Sequence, residues 1–253
     1  MHLGVNALAA FLLGHLSRHN RLAISSILSA PLSICPSLRK RQEKGPELLY
    51  PDPPSTNHHD MRSFLAYANR SGLDVASTVY VGTHYEYTVS STLAQYGIHA
   101  IRVGGASDQG IDLLGTWSLP SRAENLKVII QCKGGAQRVG PSIVRELEGS
   151  FIGAPVGWRG EGVIAFLISE KPASKGVRES LGRSRWPMGF ISCSREGVVQ
   201  QMLWNQRADE EGLRGIVVTM RHTENGEGES QIVLTHNGKR IPKASKAKVP
   251  EGD

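Results

Sequence analysis

Residues 128–135 (VIIQCKGG) carry the most informative hydrophobic pattern in the chain. In a strand, successive side chains point to opposite faces, so this segment divides into two rows. One row is apolar and contains Val128, Ile130 and Cys132. The other row starts apolar and ends polar, with Ile129, Gln131 and Lys133. The pattern therefore predicts a buried strand whose last residues present polar groups on one face.

A second strand is predicted just upstream, at the end of residues 104–113 (GGASDQGIDL). Ile111 and Leu113 face away from Asp112 in an alternating pattern. Residues 118–125 contain Pro120 and have the composition of a loop joining two antiparallel strands. We therefore expect Asp112 to lie beside Gln131 and Lys133 at one edge of a sheet.

Residues 83–97 have a helical rather than a strand period. Their apolar positions recur three or four residues apart, at Tyr85, Val89, Leu93 and Tyr96. Gly97 is a suitable stop for this helix. Glu86 lies on or beside the apolar stripe, where an unpaired carboxylate is costly. Glu86 therefore needs a partner, and a metal ion would serve.

The remaining pattern predicts an α/β protein, in which a three-stranded antiparallel meander follows the first helix. Further helices are expected at residues 141–150, between strands near Val163 and Gly189, and at residues 198–206. A carboxyl-terminal hairpin is expected from residues 215–220 and 231–236, with a turn at residues 224–228.

The predicted edge suits phosphodiester chemistry. Carboxylate and amide oxygens are hard ligands that bind Mg²⁺ or Mn²⁺, and Mg²⁺ keeps waters that leave room for a phosphate. Metal ions and a fixed ammonium can stabilise the charge that develops during hydrolysis. Lys133 would supply the ammonium. The sequence leaves open whether Lys133 acts on the water or only stabilises the transition state.

These motifs together resemble the PD-(D/E)xK nuclease superfamily in its Mrr-type restriction endonuclease branch. The resemblance rests on Glu86 in a helix, Asp112 in GGASDQGID, the Gln131-Cys132-Lys133 strand, and ELEG in the following helix. With its amino-terminal segment, the chain more narrowly resembles the fungal mitochondrial family called required for respiratory growth protein seven. The resemblance covers roughly residues 77–205.

The resemblance implies a restriction-endonuclease-like core with a central mixed sheet flanked by helices. It implies Glu86, Asp112 and Gln131 as ligands of Mg²⁺ or Mn²⁺, with Gln131 replacing the usual acidic residue, and Lys133 as the catalytic lysine. It further implies a metal-dependent endonuclease that acts on mitochondrial DNA and supports genome maintenance and respiratory growth. Nothing in the sequence selects DNA over RNA.

The same residues have simpler interpretations when taken singly. Lys133 at a strand end can protect an exposed sheet edge. Asp108 is interpreted as a turn residue in a glycine-rich loop. Glu146 and Glu148 are interpreted as a solvated helix face. Because Gln131 removes a negative charge, the alternative function is a catalytically inactive nuclease fold that binds nucleic acid or another partner.

The net charge of +6 is concentrated in the two ends of the chain. Residues 42–238 hold 19 basic and 21 acidic residues, so overall basicity does not argue for DNA binding. One local basic stretch could contact phosphates, and a solvated helix face is an equally good interpretation. Its basic residues are Lys171, Lys175, Arg178, Arg183 and Arg185.

Residues 1–41 contain five basic residues and no acid, with a short apolar start, which is typical of an organellar transit peptide. We therefore expect import into the mitochondrial matrix, and no membrane insertion because the apolar run is too short to span a bilayer. The predicted organisation continues with a linker at 42–59, the nuclease-like domain at 60–237 and a basic disordered tail at 238–253. Three widely spaced cysteines argue against a disulfide framework. A homodimer is compatible with the sequence, which does not fix the oligomeric state.

Overall fold

The computed structural model of the chain describes residues 48–105, 110–135, 138–221 and 231–242. The predicted transit peptide, Asp108 and the turn at residues 224–228 lie outside the described residues.

The described helices are α1 (Met61–Ser71), α2 (Thr78–Ala94), α3 (Pro141–Gly153), α4 (Lys175–Arg183) and the single turn α5 (Gln206–Ala208), which leads into a π-helical turn at Asp209–Leu213. The strands are β1 (Ile98–Arg102), β2 (Leu113–Trp117), β3 (Leu126–Lys133), β4 (Val163–Ser169), β5 (Met188–Cys193), β6 (Val199–Trp204), β7 (Ile216–Arg221), β8 (Gln231–His236) and β9 (Lys239–Arg240).

Six strands form a mixed central sheet in the order β1-β2-β3-β4-β5-β6. Strands β1, β2 and β3 form an antiparallel meander, β3, β4 and β5 run parallel, and β6 returns antiparallel to β5. The predicted meander is confirmed, and so is its loop, since β2 ends at Trp117 and β3 begins at Leu126. Because β3, β4 and β5 are parallel, their carboxyl ends meet at one edge of the sheet.

The two faces of this sheet are covered by different elements. On one face, which we call the α2 face, Val128 and Ile130 pack in one core cluster with Val89 and Leu93 of α2. On the opposite face, the α3 face, Ile129 belongs to a second cluster with apolar residues of α3 and α4. The predicted alternation along β3 is therefore confirmed, and burial of these side chains is a main source of stability.

Helix α2 confirms the predicted helix but begins at Thr78, five residues earlier than the periodicity indicated. Its start is fixed by Ser77, whose hydroxyl accepts a hydrogen bond from the Tyr80 N–H at 3.2 Å. The helix ends before Gly97, which has a φ of +79° that glycine adopts readily. Tyr85 and Val89 are buried as predicted, and this rotation of the helix also determines where Glu86 lies.

The predicted helix at residues 198–206 is wrong, because Val199–Trp204 is strand β6. The sequence Glu196-Gly197 forms a tight turn in which the Gly197 N–H donates to the Ser194 carbonyl at 3.0 Å. This turn reverses the chain, so the following residues pair with β5 instead of starting a helix. Val199 and Met202 are three residues apart, which is a helical spacing. Both nevertheless face one core as part of a strand, because the pairing with β5 shifts register between Ser192 and Cys193.

The predicted carboxyl-terminal hairpin is confirmed by β7 and β8, which pair antiparallel. Ile216, Ile232 and Leu234 from this hairpin join the core of the α2 face. Lys239–Arg240 adds a short third strand to the hairpin. At the other end of the described chain, residues 48–59 lie against the domain: the Trp158 indole donates to the Leu49 carbonyl at 3.0 Å.

Candidate active site

Asp112 lies immediately before β2 and is hydrogen-bonded to the last residues of β3. Its N–H donates to the Ile130 carbonyl at 2.9 Å. Its Oδ2 accepts a hydrogen bond from the Cys132 N–H at 2.6 Å. These two bonds extend the antiparallel pairing beyond the register pair of Leu113 and Ile130, so the carboxylate is held beside the polar end of β3.

Gln131 and Lys133 meet a third residue, Glu146, on the α3 face. The Gln131 Nε2 donates to Glu146 Oε1 at 2.5 Å, and the Lys133 Nζ donates to the same oxygen at 3.1 Å. Glu146 is exposed, as expected for a solvated helix face, but it also contacts these two strand residues. The carboxylate of Glu146 remains 45% exposed, yet it is the common acceptor for both predicted site residues on this strand.

A sequence signal for Glu146 was present. Glu146 follows Ile143 by three residues and precedes Ser150 by four, which are the spacings of neighbours on one side of a helix. Ile143 packs against the core and Ser150 is fully buried, so Glu146 borders the inward face of α3. Helical spacing shows that a residue borders the core, but it does not show which strand residues lie opposite.

The Gln131 amide is an unusual feature of this cluster. Gln131 is 1% exposed, and its Oε1 has no hydrogen-bond partner among the described residues. A buried carbonyl without a partner costs about 1–3 kcal/mol. Turning the amide over would place that oxygen against the Glu146 carboxylate, so the contact with Glu146 fixes the orientation that leaves Oε1 unsatisfied.

Gly110 closes the cluster on the loop side. Its φ of +78° is in the left-handed region, and a Cβ at this position would lie 2.9 Å from Gln131 Nε2. A side chain would therefore displace the amide. The loop that precedes Asp112 can approach Gln131 this closely only because residue 110 is glycine.

Glu86 lies on the α2 face and forms an ion pair with Arg102 of β1. The two side chains are only 13% and 14% exposed, so the prediction that Glu86 needs a partner is confirmed. Burial raises the pKa of the Cys132 thiol, and the charges of Asp112 and Glu86 raise that pKa further. The negative charges of Glu86 and Asp112 therefore both lie close enough to Cys132 to disfavour its thiolate. Glu86 is also neutralised by Arg102. Its predicted role as a metal ligand stays a prediction.

Within the described ranges, no group of three or more His, Cys, Asp or Glu side chains is arranged to hold a metal ion. Magnesium needs fewer protein ligands, because it is commonly bound by one or two carboxylates together with waters and substrate phosphates. Asp112, Glu146 and the unsatisfied Gln131 Oε1 provide hard oxygens of this kind. The residues at the end of β3 thus fit Mg²⁺ or Mn²⁺ and do not resemble a structural zinc site.

The five basic residues predicted to contact nucleic acid are all exposed, but they are spread along α4 and its flanking segments, from Lys171 before the helix to Arg185 after it. This helix runs back from the carboxyl end of β4 to the start of β5, a length of roughly 13 Å. Lys171 and Lys175 lie near the candidate site's edge of the sheet. Arg183 and Arg185 lie at the far end, where they line a surface cavity of about 290 Å³ together with Arg207. The structure does not gather the five into one patch.

A mixed six-stranded sheet flanked by helices, with a polar cluster where β3 ends, defines the chain as an α/β protein with a candidate site at the sheet edge. The family model described as Required for respiratory growth protein 7 matches residues 77–125 and 120–221. The chain belongs to this family, and the predicted resemblance to it is confirmed.

Two curated relatives are named mitochondrial. A Schizosaccharomyces pombe protein, named as an uncharacterized mitochondrial protein, is 32% identical over 158 residues, or 61% of this chain and 62% of that protein. The Required for respiratory growth protein 7 of Vanderwaltozyma polyspora is 39% identical over 61 residues, which cover 23% of this chain and 24% of the relative. The chain thus spans less than two thirds of the length of either relative.

No solved structure matches the chain. Among the described helices, none has the length and apolar character needed to cross a membrane.

Proposed function

We propose that this chain is a Mg²⁺- or Mn²⁺-dependent endonuclease with a restriction-endonuclease-like core, which hydrolyses DNA phosphodiester bonds in the mitochondrial matrix. The observation that carries the proposal is the convergence of Asp112, Gln131, Lys133 and Glu146 at the carboxyl end of β3. The names of the relatives support a mitochondrial role connected with respiratory growth. Maintenance of the mitochondrial genome is the proposed route to that role.

Each residue has a distinct task in the proposed reaction. Asp112 and the Gln131 Oε1 would hold the divalent ion, and Glu146 would supply the negative charge that Gln131 lacks. The ion, when bound, neutralises charge on the phosphoryl oxygens and lowers the pKa of bound water. Glu146 orients the Lys133 ammonium at 3.1 Å. From that position, Lys133 stabilises the charge that develops on the phosphate as the water attacks.

Cleavage of supercoiled plasmid DNA by the full chain, in Mg²⁺, in Mn²⁺ and in a chelator, tests the proposal. We expect metal-dependent cleavage that falls at least about 100-fold in Asp112→Asn and in Lys133→Ala, the range observed when a charge-stabilising group is removed. The matched controls are Asp52→Asn, on an exposed residue outside the site, and Lys127→Ala, at the opposite end of β3. All four variants are checked by circular dichroism and thermal unfolding.

Cleavage that persists in folded Asp112→Asn and Lys133→Ala would come from a contaminant and would remove the enzyme assignment. Parallel assays on RNA of the same length decide which nucleic acid is cut.

A second candidate function is a catalytically inactive nuclease fold that binds nucleic acid or a protein partner. It is favoured by the two ion pairs, Glu86 with Arg102 and Lys133 with Glu146, which neutralise charges that a metal site would use. Binding of DNA without cleavage in both metals would support this candidate over the enzyme.

A further inference from the structure

The loop that follows Lys133 connects the candidate site to a separate surface cavity. Gly134 packs on the ring of Tyr85, and a Cβ on Gly134 would lie 3.2 Å from Tyr85 Cδ1. The Tyr85 hydroxyl donates to the Cys193 carbonyl at 2.8 Å, which fixes the ring against the carboxyl end of β5. The next residue in the loop, Gly135, donates its N–H to the Glu170 carboxylate.

Arg195 is joined to this loop through the same carboxylate. Its Nε donates to Glu170 Oε1 at 2.8 Å, while the Glu170 side chain is 12% exposed and the Arg195 side chain is 51% exposed. The ion pair raises the pKa of Arg195, so the guanidinium stays charged. Glu170 therefore holds a half-exposed arginine at a fixed position next to the loop that leaves the candidate site.

Arg195 stands between two surface cavities of different character. A cavity of about 210 Å³ on one side is lined mainly by apolar and aromatic side chains, among them Tyr80, His84 and Tyr85. A cavity of about 310 Å³ on the other side is lined mainly by polar groups, among them Lys171 and Glu196. An apolar hollow and a polar hollow that share one arginine match the two parts of a nucleotide, the flat base and the charged phosphate.

The aromatic rings in the apolar cavity are held as a platform. His84 stacks on Tyr80, with ring centroids 5.9 Å apart and planes inclined by 19°. Tyr80 is supported from behind by Phe64, at a centroid distance of 5.3 Å. Both rings lie on α2 four residues apart, so the helix backbone keeps them in register. Rings of this kind stack unpaired bases whatever their sequence.

We propose that the cavity between Tyr80, His84 and Arg195 binds an unpaired nucleotide of a single-stranded nucleic acid. The base stacks on the face of the His84 ring that Tyr80 does not cover, and the adjoining phosphate contacts the outer side of the Arg195 guanidinium, with Lys171 in the same polar cavity. Glu170 and Glu196 line the same polar cavity. Glu170 is neutralised by Arg195, so the proposed phosphate path avoids Glu196 and passes on the side of Lys171. The inference extends the proposed function by naming its substrate class: DNA with unpaired nucleotides beside the cut.

Fluorescence anisotropy of the full chain in a chelator tests the subsite without any cleavage. The probes are a fluorescein-labelled single-stranded 12-mer of deoxythymidylate and a labelled duplex of the same length, at one fixed salt concentration. We expect His84→Ala and Arg195→Gln each to weaken single-strand binding about tenfold, and to change duplex binding less than about twofold. His84→Phe keeps a ring and should retain the single-strand affinity.

The matched controls are His99→Ala, on an exposed histidine of β1, and Arg221→Gln, on an exposed arginine at the end of β7. Unchanged single-strand binding in folded His84→Ala and Arg195→Gln would overturn the subsite, as would an equal loss in His84→Phe and His84→Ala. Binding that depends on His84 without cleavage would reject the nuclease and keep the subsite. DNA cleavage together with single-strand binding that does not depend on His84 would keep the nuclease and reject the subsite.

Discussion

Two helical carboxylates, Glu86 and Glu146, lie on opposite faces of the sheet near the end of β3, and they differ in environment. On the α2 face, Glu86 is 13% exposed and paired with Arg102. On the α3 face, Glu146 is 45% exposed and accepts hydrogen bonds from Gln131 and Lys133. The more buried carboxylate, Glu86, is thus paired with an arginine. The more exposed one, Glu146, contacts the residues proposed to carry out catalysis.

This difference in burial predicts that Glu86 contributes mainly to stability and Glu146 mainly to function. A nearly buried ion pair cannot lose one partner without leaving the other charge desolvated. A half-exposed carboxylate can be replaced by its amide at small cost, because water solvates Lys133 in part and the amide oxygen can still accept the Gln131 N–H. Burial of an acidic residue therefore predicts that it has a partner, but it does not predict that the partner is a catalytic metal.

The largest expected effect comes from breaking the pair on the α2 face. Glu86→Gln leaves the Arg102 charge, which is 14% exposed, without its counter-charge. We expect the free energy of unfolding to fall by about 3 kcal/mol, measured by urea denaturation. The double variant Glu86→Gln, Arg102→Met should recover part of that loss. A single variant as stable as the wild type would show that the pair contributes little.

The next largest effect is expected on the α3 face and concerns activity. Glu146→Gln removes the charge that orients Lys133 and that complements Gln131, so DNA cleavage should fall about 100-fold. Stability should change by less than about 1 kcal/mol, because the ion pair is half-exposed. Glu148→Gln, on the same helix, is the matched control and should cleave normally. Full activity in Glu146→Gln would show that this carboxylate is only a surface contact.

A smaller effect should appear when the pH is raised. Burial raises the pKa of Cys193 from its ordinary value of 9.0 to about 11 and raises that of Cys132, and both thiols lie on the α2 face. Unfolded thiols lose their protons at a lower pH than these buried ones. The free energy of unfolding is therefore unaffected by these thiols below about pH 9. It falls between about pH 9 and 11, by roughly 2 kcal/mol for Cys193.

Urea denaturation at pH 8 and pH 11 measures this loss. Cys193→Ala should reduce the difference in unfolding free energy between the two pH values. An identical difference in the wild type and in Cys193→Ala would contradict the assignment of the loss to this thiol.

Local pattern predicted much of the fold. Alternation located β3 and assigned its two faces, and Pro120 with its neighbours located the loop between β2 and β3. Local pattern failed at β6, where Val199 and Met202 have a helical spacing and a register shift in the pairing with β5 brings both to one core. The choice there was made by pairing with β5 across a tight turn. Such a partner is a tertiary feature that a short window of sequence does not contain.

The candidate site was predicted less completely than the fold, for a related reason. Asp112, Gln131 and Lys133 come from two paired strands, so their proximity follows from the meander. Glu86 and Glu146 come from helices α2 and α3, whose rotation against the sheet is set by packing. Their contacts with Arg102 and with Gln131 could not be predicted from helical spacing alone.

The central claim is that a divalent ion binds at the end of β3 on the side of Asp112 and the Gln131 Oε1. Anomalous scattering from crystals of the full chain grown with Mn²⁺ tests it most directly. We expect one ion within coordination distance of the Asp112 carboxylate and the Gln131 amide oxygen, absent from crystals of Asp112→Asn. An ion elsewhere, or no ion beside Asp112 at saturating Mn²⁺, would contradict the account.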